Sequence, residues 1–152
     1  MEYMEETVHT LAAFEQAAAA FITSLIPNVE RATLITLSGD LGAGKTAFVK
    51  AAARHLCIPE EVTSPTFVLQ KAYEVPEGEK TLPWRRLVHL DVYRLAQKKD
   101  LDALRFSETL SDRKNLIMVE WPEQIGDFGI KPDAHLVITT LPQGGRIIRY
   151  ES

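Results

Sequence analysis

The feature that most constrains the fold of this chain is the segment Gly39–Thr46, which reads G-D-L-G-A-G-K-T. It fits the spacing G-x-x-x-x-G-K-[ST], which is informative when a strand precedes it and a helix follows it. Both conditions are met, because the apolar, β-branched run Ala32–Leu37 predicts a buried strand and Lys45–Leu56 has helical spacing. A strand, a glycine-rich turn and a helix in this order predict a loop that binds phosphate groups.

The residue types in this loop suit the chemistry of a nucleotide bound with Mg²⁺. Glycines allow successive backbone N–H groups to point at phosphate oxygens, and the following helix adds the positive end of its dipole. Lys45 is expected to reach the β and γ phosphates, and the Thr46 hydroxyl to bind Mg²⁺. One or two carboxylates must complete the site, and Asp91 and Glu120 are the candidates because each ends an apolar run. The sequence alone leaves open which of the two binds the metal.

Strand and helix patterns alternate along the rest of the chain. They predict a single α/β domain over residues 1–152, with the fold of P-loop nucleoside triphosphatases: a three-layer sandwich around a mostly parallel central sheet. Ligands then belong at the carboxyl ends of the strands. Away from the loop, the patterns predict helices over Thr10–Ile26 and Asp100–Asp112, strands over Val68–Val75, Leu87–Asp91 and Leu116–Glu120, and a closing antiparallel hairpin of Ala134–Thr140 and Arg146–Tyr150.

Composition limits the classes of function open to this chain. A net charge of −4 argues against a free-standing nucleic-acid-binding protein, because phosphate backbones are held mainly by clustered Lys and Arg. No apolar run approaches the roughly 18 residues of a membrane span, and the acidic N-terminus is unlike a signal peptide. Cys57 is the only cysteine and is expected to be a small buried apolar group on a helix. We therefore expect a cytoplasmic protein with no membrane partner.

Two further features carry hypotheses. The segment Thr63–Phe67 is either a nucleotide-sensing loop, whose Ser64 and Thr66 hydroxyls approach a γ-phosphate or its metal, or a proline-containing entry to the next strand. His89 precedes Asp91 by two residues within an apolar run. We expect it to be a packed, hydrogen-bonded core histidine and not a ligand.

Several separated motifs converge on one known family. Gly39–Thr46, Ser64–Phe67 (SPTF), His89–Arg94 (HLDVYR) and Val119–Glu123 (VEWPE) resemble, in order and spacing, the bacterial TsaE (YjeE) family over nearly the whole chain. The resemblance implies a small P-loop ATPase required for threonylcarbamoyladenosine formation at position 37 of tRNAs that read ANN codons. In that family TsaD, paired with TsaB, carries out the transfer; TsaE binds at this pair, and its ATP hydrolysis resets the machine. Contact with tRNA would then be indirect, through the complex.

The resemblance also implies roles for individual residues. Asp91 would act beside the metal, orienting water or the Thr46 hydroxyl; Thr66 would lie in a switch-like segment, and Trp121 near the nucleotide or the partner surface, unless it is a core residue. Lys45 would act on the phosphates, and Thr46 with Glu120 would hold Mg²⁺. The implied ATP-binding residues are Asp40, Leu41, Gly42, Ala43, Gly44, Lys45, Thr46 and Ala47, with Leu11 and Arg146 as looser matches.

Two other classes of function compete with this interpretation. A small-molecule or nucleoside kinase could use the same loop, but it usually needs Arg residues that close over the phosphates, and only Arg94, Arg105 and Arg113 are available. A GTP-driven switch is disfavoured, because the sequence has no N-K-x-D segment to read guanine and no D-x-x-G after a strand. The sequence therefore favours a slow ATPase that depends on Mg²⁺ and on partner proteins.

Overall fold

The computed structural model describes residues 3–63, 69–78, 81–95 and 97–152. Within these ranges, three α-helices and two short 3-10 helices accompany one sheet. The strands are β1 Tyr3–Val8, β2 Thr33–Ser38, β3 Gln70–Glu74, β4 Arg86–Asp91, β5 Asn115–Glu120, β6 Ala134–Thr140 and β7 Arg146–Glu151. The α-helices are α1 Leu11–Ser24, α2 Lys45–His55 and α3 Phe106–Ser111, and the 3-10 helices are Lys98–Leu104 and Pro122–Gln124.

The sheet has a parallel centre and antiparallel flanks. Its strand order is β1-β7-β6-β2-β5-β4-β3 over the described residues. The pairs β6–β2, β2–β5 and β5–β4 are parallel, whereas β1–β7, β7–β6 and β4–β3 are antiparallel. The predicted α/β fold and closing hairpin are confirmed, but the parallel character is confined to the four central strands. The antiparallel pairs β3–β4 and β6–β7 each join strands that are consecutive in the chain, and the N-terminal strand β1 pairs with the free edge of β7.

Both faces of the sheet are covered, which gives the predicted three layers. Along β2, Ile35 and Leu37 belong to one buried cluster with residues of α1 and α2, while the alternate residue Leu34 belongs to a second cluster. This alternation follows from the two-residue period of a strand. The second cluster contains Leu101 of the first 3-10 helix and Phe106 of α3. The loop that opens α2 therefore lies over the first face.

Helix α1 begins where the sequence predicts. The Thr10 side chain accepts a hydrogen bond from the Ala13 amide at 3.0 Å, which satisfies one of the free donors of the first turn. The helix ends at Ser24, before Pro27. The Phe14 ring packs edge-on against Phe48 of α2, with centroids 5.9 Å apart. This contact joins α1 to the helix that follows the glycine-rich loop.

Two expectations need correction, and one strand was not predicted. The segment predicted as one helix over Asp100–Asp112 is divided at Arg105, which has φ 56°, because an unbroken α-helix would set Leu101 and Phe106 about 140° apart. The break allows both side chains to enter the same cluster. Cys57 is exposed, not buried, and with φ 63° it forms the left-handed turn after α2. Strand β1 was not predicted. Val8 is its single buried residue among those described, so its sequence shows little of the alternation of apolar and polar residues that indicates a strand.

Within the described ranges, no helix combines the length and the apolar character needed to cross a bilayer.

Candidate functional site

The glycine-rich loop connects β2 to α2 at the carboxyl end of the parallel strands. Gly39, Gly42 and Gly44 have φ values of 153°, 80° and 116°, a region that L side chains rarely adopt. Within the loop the Ala43 amide donates to the Asp40 carbonyl at 3.0 Å. The other amides of residues 41–46 donate to no acceptor in the described part of the chain. The loop thus presents a set of free N–H donors at a helix N-terminus, which is the arrangement that binds anions.

Two of these glycines are also required by close packing. A Cβ on Gly39 would lie 2.5 Å from the Ile138 carbonyl oxygen of β6, and one on Gly44 would lie 3.3 Å from the Phe14 ring. Gly42 has open space around it and is constrained by its backbone conformation alone. The hairpin β6–β7 and helix α1 therefore hold the loop from two sides.

Lys45 is folded back onto its own loop. Its side chain is buried, and Nζ donates to the carbonyl oxygens of Gly39 and Asp40 at 2.5 and 2.9 Å. Nζ also lies 4.1 Å from the ring centroid of Trp121, a cation–π distance. Two of the three donors of the ammonium group are thus satisfied by carbonyl oxygens of the loop.

The charges around Lys45 are mostly negative. Burial lowers the pKa of Lys45, and the negative charges of Glu120, Glu123, Asp91 and Asp40 act against this shift. One ammonium group therefore faces four carboxylates. A phosphate group would meet net repulsion here unless a cation came with it.

Thr46 and Glu120 lie in direct contact beside the loop. The Thr46 hydroxyl donates to the Glu120 carboxylate, 2.9 Å from each oxygen. Glu120 is 2% exposed, and His89 Nε2 lies 2.5 Å from its Oε2. Because a carboxylate only accepts, Nε2 is the donor of that bond. The expectation that His89 is a buried, hydrogen-bonded residue agrees with this contact.

Asp91 occupies the neighbouring strand end. It pairs with Glu120 in the parallel register of β4 and β5, and its Oδ1 accepts from the Tyr93 amide at 3.1 Å. Burial and the charge of Glu120 raise the pKa of Asp91, while the Tyr93 amide acts in the opposite direction. Thr46 donates to Glu120, and the described part of the chain has no hydrogen bond from Thr46 to Asp91.

Leu11 and Arg146 meet the loop on its other side. They line a cavity of about 220 Å³ that also includes Ala43, Gly44 and Ala47. Arg146 Nε donates to the Ala43 carbonyl at 2.7 Å, so the second strand of the hairpin is fastened to the loop. Gly145 precedes it with φ 88°, and a Cβ there would lie 2.8 Å from the Val8 carbonyl. Leu11 and Arg146, the two looser matches to the family pattern, are therefore adjacent to the glycine-rich loop.

Sequence reasoning missed one acidic residue of this site. The 3-10 helix Pro122–Gln124 brings Glu123 back toward the loop, where its Oε2 accepts from the Ser38 hydroxyl at 2.6 Å. Trp121 starts that turn in a left-handed conformation, with φ 62°, and its ring packs 4.8 Å from Tyr93. The signal was present in the motif VEWPE, since a proline two residues after a strand end predicts a turn.

The remaining predicted residues fall into two groups. Asp40 and Leu41 are exposed at the loop, and the Leu41 side chain is 89% exposed. Thr66 and the rest of the segment SPTF lie outside the described residues. The oxygens of Thr46 and Glu120 at the rim of the free amides are the ligand types that Mg²⁺ prefers, so the donor set fits this ion.

Fold and loop together define a class. A strand, a loop of glycines with left-handed conformations and a helix, placed at the carboxyl edge of a parallel-centred sheet, form the P-loop type of α/β fold. The family model described as "Threonylcarbamoyl adenosine biosynthesis protein TsaE" matches residues 10–148. This chain belongs to the TsaE family, a family of tRNA threonylcarbamoyladenosine biosynthesis.

Individual relatives agree with this assignment. The chain is 34% identical over 119 residues to "tRNA threonylcarbamoyladenosine biosynthesis protein TsaE" of Rickettsia typhi, covering 78% of this chain and 76% of that protein. It is 36% identical over 126 residues to the protein of the same name from Aquifex aeolicus, covering 82% and 81%. The crystal structure of Bacillus subtilis YdiB matches with a TM-score of 0.74 and 26% identity, over 98% of this chain and 84% of that one.

Proposed function

We propose that this protein binds ATP with Mg²⁺ at the loop Asp40–Thr46 and hydrolyses it slowly, as an accessory protein of threonylcarbamoyladenosine formation at position 37 of tRNAs that read ANN codons. It acts on the TsaB–TsaD complex in the cytoplasm and meets tRNA only through that complex. The family assignment supports the pathway. The geometry of the site supports the binding of ATP with Mg²⁺ and its hydrolysis.

One observation carries the proposal: the Thr46–Glu120 hydrogen bond beside a row of free backbone amides. The amides and the α2 N-terminus suit phosphate oxygens, and the two side-chain oxygens suit a hard cation. Thr46 donates its only proton to Glu120, so its lone pairs stay available to a metal. Anion donors and cation ligands side by side are what a metal-bound triphosphate requires.

Thr46 and Glu120 would hold Mg²⁺, with the remaining positions filled by phosphate and water. When bound, the ion neutralises negative charge on the β and γ phosphates. The acidic surroundings of Lys45 support this assignment, because free ATP would be repelled by Asp40, Asp91, Glu120 and Glu123. We therefore expect ATP to bind tightly only together with Mg²⁺.

The other residues have separate tasks. Lys45 leaves the carbonyls of Gly39 and Asp40 and pairs with the phosphates. Asp91, at the end of the strand beside Glu120, orients the attacking water for transfer of the phosphoryl group to water, and its raised pKa fits a group that handles a proton. We also propose that Thr66 responds to the γ-phosphate, a role that rests on the family resemblance alone. The cavity beside Leu11 and Arg146 receives the nucleoside part.

Slow turnover follows from the lack of a free arginine at the loop. Arg146 is engaged by Ala43, and Arg94, Arg105 and Arg113 are exposed and contact no loop residue within the described chain. Phosphoryl transfer to water is accelerated strongly when an arginine reaches the transferring group. We expect TsaB–TsaD to supply or order the missing group.

Reconstitution tests this function. The purified protein is mixed with its own TsaB and TsaD, tRNA, threonylcarbamoyl adenylate and γ-labelled ATP, with Lys45→Ala as the matched control. We expect release of labelled phosphate to rise on addition of TsaB–TsaD, and modified tRNA to exceed one product per complex only with the wild-type protein. A flat ATPase rate together with unchanged modification would refute the role. Transfer of the label to a metabolite would instead indicate a kinase.

A further inference from the structure

His89 is a wholly buried histidine in contact with Glu120, the proposed metal ligand. Its Nε2 lies 2.5 Å from Glu120 Oε2, and the side chain is 0% exposed. We infer that His89 is a positioning residue: it fixes the orientation of the Glu120 carboxylate so that this group and Thr46 together can hold Mg²⁺. This inference rests on the proposed function and concerns the same site.

The strand register places His89 on the correct face. Along β4, Leu87 and His89 alternate with Val88 and Leu90, and Leu87 shares a buried cluster with α2 while Val88 and Leu90 belong to the opposite one. In the parallel ladder His89 pairs with Met118, which precedes Glu120 by two residues on β5. The imidazole therefore lies on the α2 side of the sheet, on the same face as Glu120.

Glu120 is held from two directions. Thr46 donates from α2 to both of its oxygens, and His89 donates from β4 to Oε2 alone. The terminal torsion of a glutamate is soft, and a hydroxyl placed equally far from both oxygens restrains rotation about it only weakly. A second donor, on one oxygen and from another strand, restrains that rotation, which is the contribution of His89.

The second ring nitrogen argues against a purely packing role. His89 Nδ1 is buried and has no hydrogen-bond partner among the described residues. An orphaned buried acceptor is unfavourable, and an apolar ring would fill the same space without it. The Nε2 bond to Glu120 is therefore the feature that a histidine provides here. Outer partners of this kind commonly orient the groups that hold a metal.

Matched substitutions separate positioning from packing. His89→Gln keeps a donor near the place of Nε2, His89→Asn is chemically similar but too short to reach Oε2, and His89→Phe fills the ring volume without a donor. ATP binding is measured by calorimetry at increasing Mg²⁺ and in EDTA, and thermal unfolding is recorded alongside. The quantity compared is the Mg²⁺ concentration at which half of the Mg²⁺-dependent gain in ATP affinity is reached. We expect this concentration to rise about tenfold or more in the Asn and Phe variants. The Gln variant should stay near the wild type, and ATP binding in EDTA should be equal in all four proteins.

The outcomes that overturn the inference are distinct from those that overturn the function. Wild-type protein without Mg²⁺-dependent ATP binding would refute both. Clear Mg²⁺ dependence with no shift in the Phe variant, or an equal shift in the Gln and Phe variants, would refute the role of His89 alone. Should a variant fail to fold, ¹⁵N NMR of the wild-type imidazole decides the question. We expect the proton on Nε2 and a change in that signal when Mg²⁺ and ATP are added, and a proton on Nδ1 instead would refute the inference.

Discussion

The hydroxyl of Thr46 lies 2.9 Å from both carboxylate oxygens of Glu120, which joins the first turn of α2 to the end of β5. It also supports the proposal that Glu120, and not Asp91, shares a cation with Thr46.

Removal of the Thr46 hydroxyl should uncouple Mg²⁺ from ATP binding. In Thr46→Ala we expect the gain in ATP affinity on adding Mg²⁺ to fall about tenfold or more, because both the ligand oxygen and the donor to Glu120 are lost. Calorimetric titrations with Mg²⁺ and with EDTA measure this gain. Thr46→Ser keeps the hydroxyl and should behave as the wild type; an equal defect in both variants would contradict the assignment.

ATP binding should change the fluorescence of Trp121. Lys45 Nζ lies 4.1 Å from the centre of its ring in the free protein, and we expect it to move to the phosphates. Trp84, the other tryptophan, is buried and donates to Thr33 Oγ1, away from the loop. Titration with Mg²⁺ and ATP should therefore change the emission of the wild type and of Trp84→Phe, but not that of Trp121→Phe or Lys45→Ala. A response that followed Trp84 would contradict this movement.

Asp91 should make the free protein less stable as the pH rises. Burial and Glu120 raise its folded-state pKa above the ordinary value of 3.8, so the folded state favours the protonated form. That stabilising contribution is complete below the ordinary pKa and is lost as the pH rises through the folded-state pKa. Asp91→Asn is neutral at every pH. Its free energy of unfolding should therefore exceed that of the wild type most at about pH 7, and this difference should become smaller toward about pH 4. Because solvent screens this half-buried group, we expect about 1 kcal/mol or less.

Urea unfolding of the two proteins across this pH range provides the measurement for Asp91. The Oδ1 of asparagine can still accept from the Tyr93 amide, so the comparison changes mainly the charge. An advantage of Asp91→Asn that grew toward low pH would contradict the sign of the shift.

Gly39 should be the least replaceable glycine of the loop. A Cβ there meets the Ile138 carbonyl at 2.5 Å and the backbone has a positive φ, so Gly39→Ala should lower the free energy of unfolding by about 1–3 kcal/mol or more. Gly42→Ala has only the strained backbone and should cost less. Gly78, with no positive φ and no neighbour within 4 Å, is the matched control and should change stability by about 0.5 kcal/mol or less. Chemical denaturation ranks the three, and a different order would contradict the packing account.

Much of the fold could be predicted because the central strands are short, apolar and followed by distinctive residues. The loop, Thr10 and the two strand ends at Asp91 and Glu120 are local signals, and each lies where the pattern indicated. Strand β1 could not be recognised, since it is stabilised by pairing with β7, 138 residues later in the register Val8 with Arg146. The break at Arg105 depends on tertiary packing of Leu101 and Phe106, which helical periodicity does not record.

The candidate site, like the fold, could be predicted from the sequence only in part. Residue types and spacing indicated the loop, Lys45, Thr46 and two carboxylates, because their chemistry is encoded locally. The Thr46–Glu120 hydrogen bond joins residues that are 74 positions apart, and the contact of Glu123 with Ser38 depends on a turn that begins at Trp121. Contacts between strand ends are set by sheet order, and one sequence does not reveal that order.

A crystal structure with Mg²⁺ and a non-hydrolysable ATP analogue tests the central claim most directly. We expect phosphates on the amides of residues 41–46 and Lys45 released from the Gly39 carbonyl. We also expect Mg²⁺ beside Thr46 and Glu120, with the nucleoside in the cavity near Leu11 and Arg146. A nucleotide bound away from this loop, or a metal bound by Asp91 without Thr46 and Glu120, would contradict it.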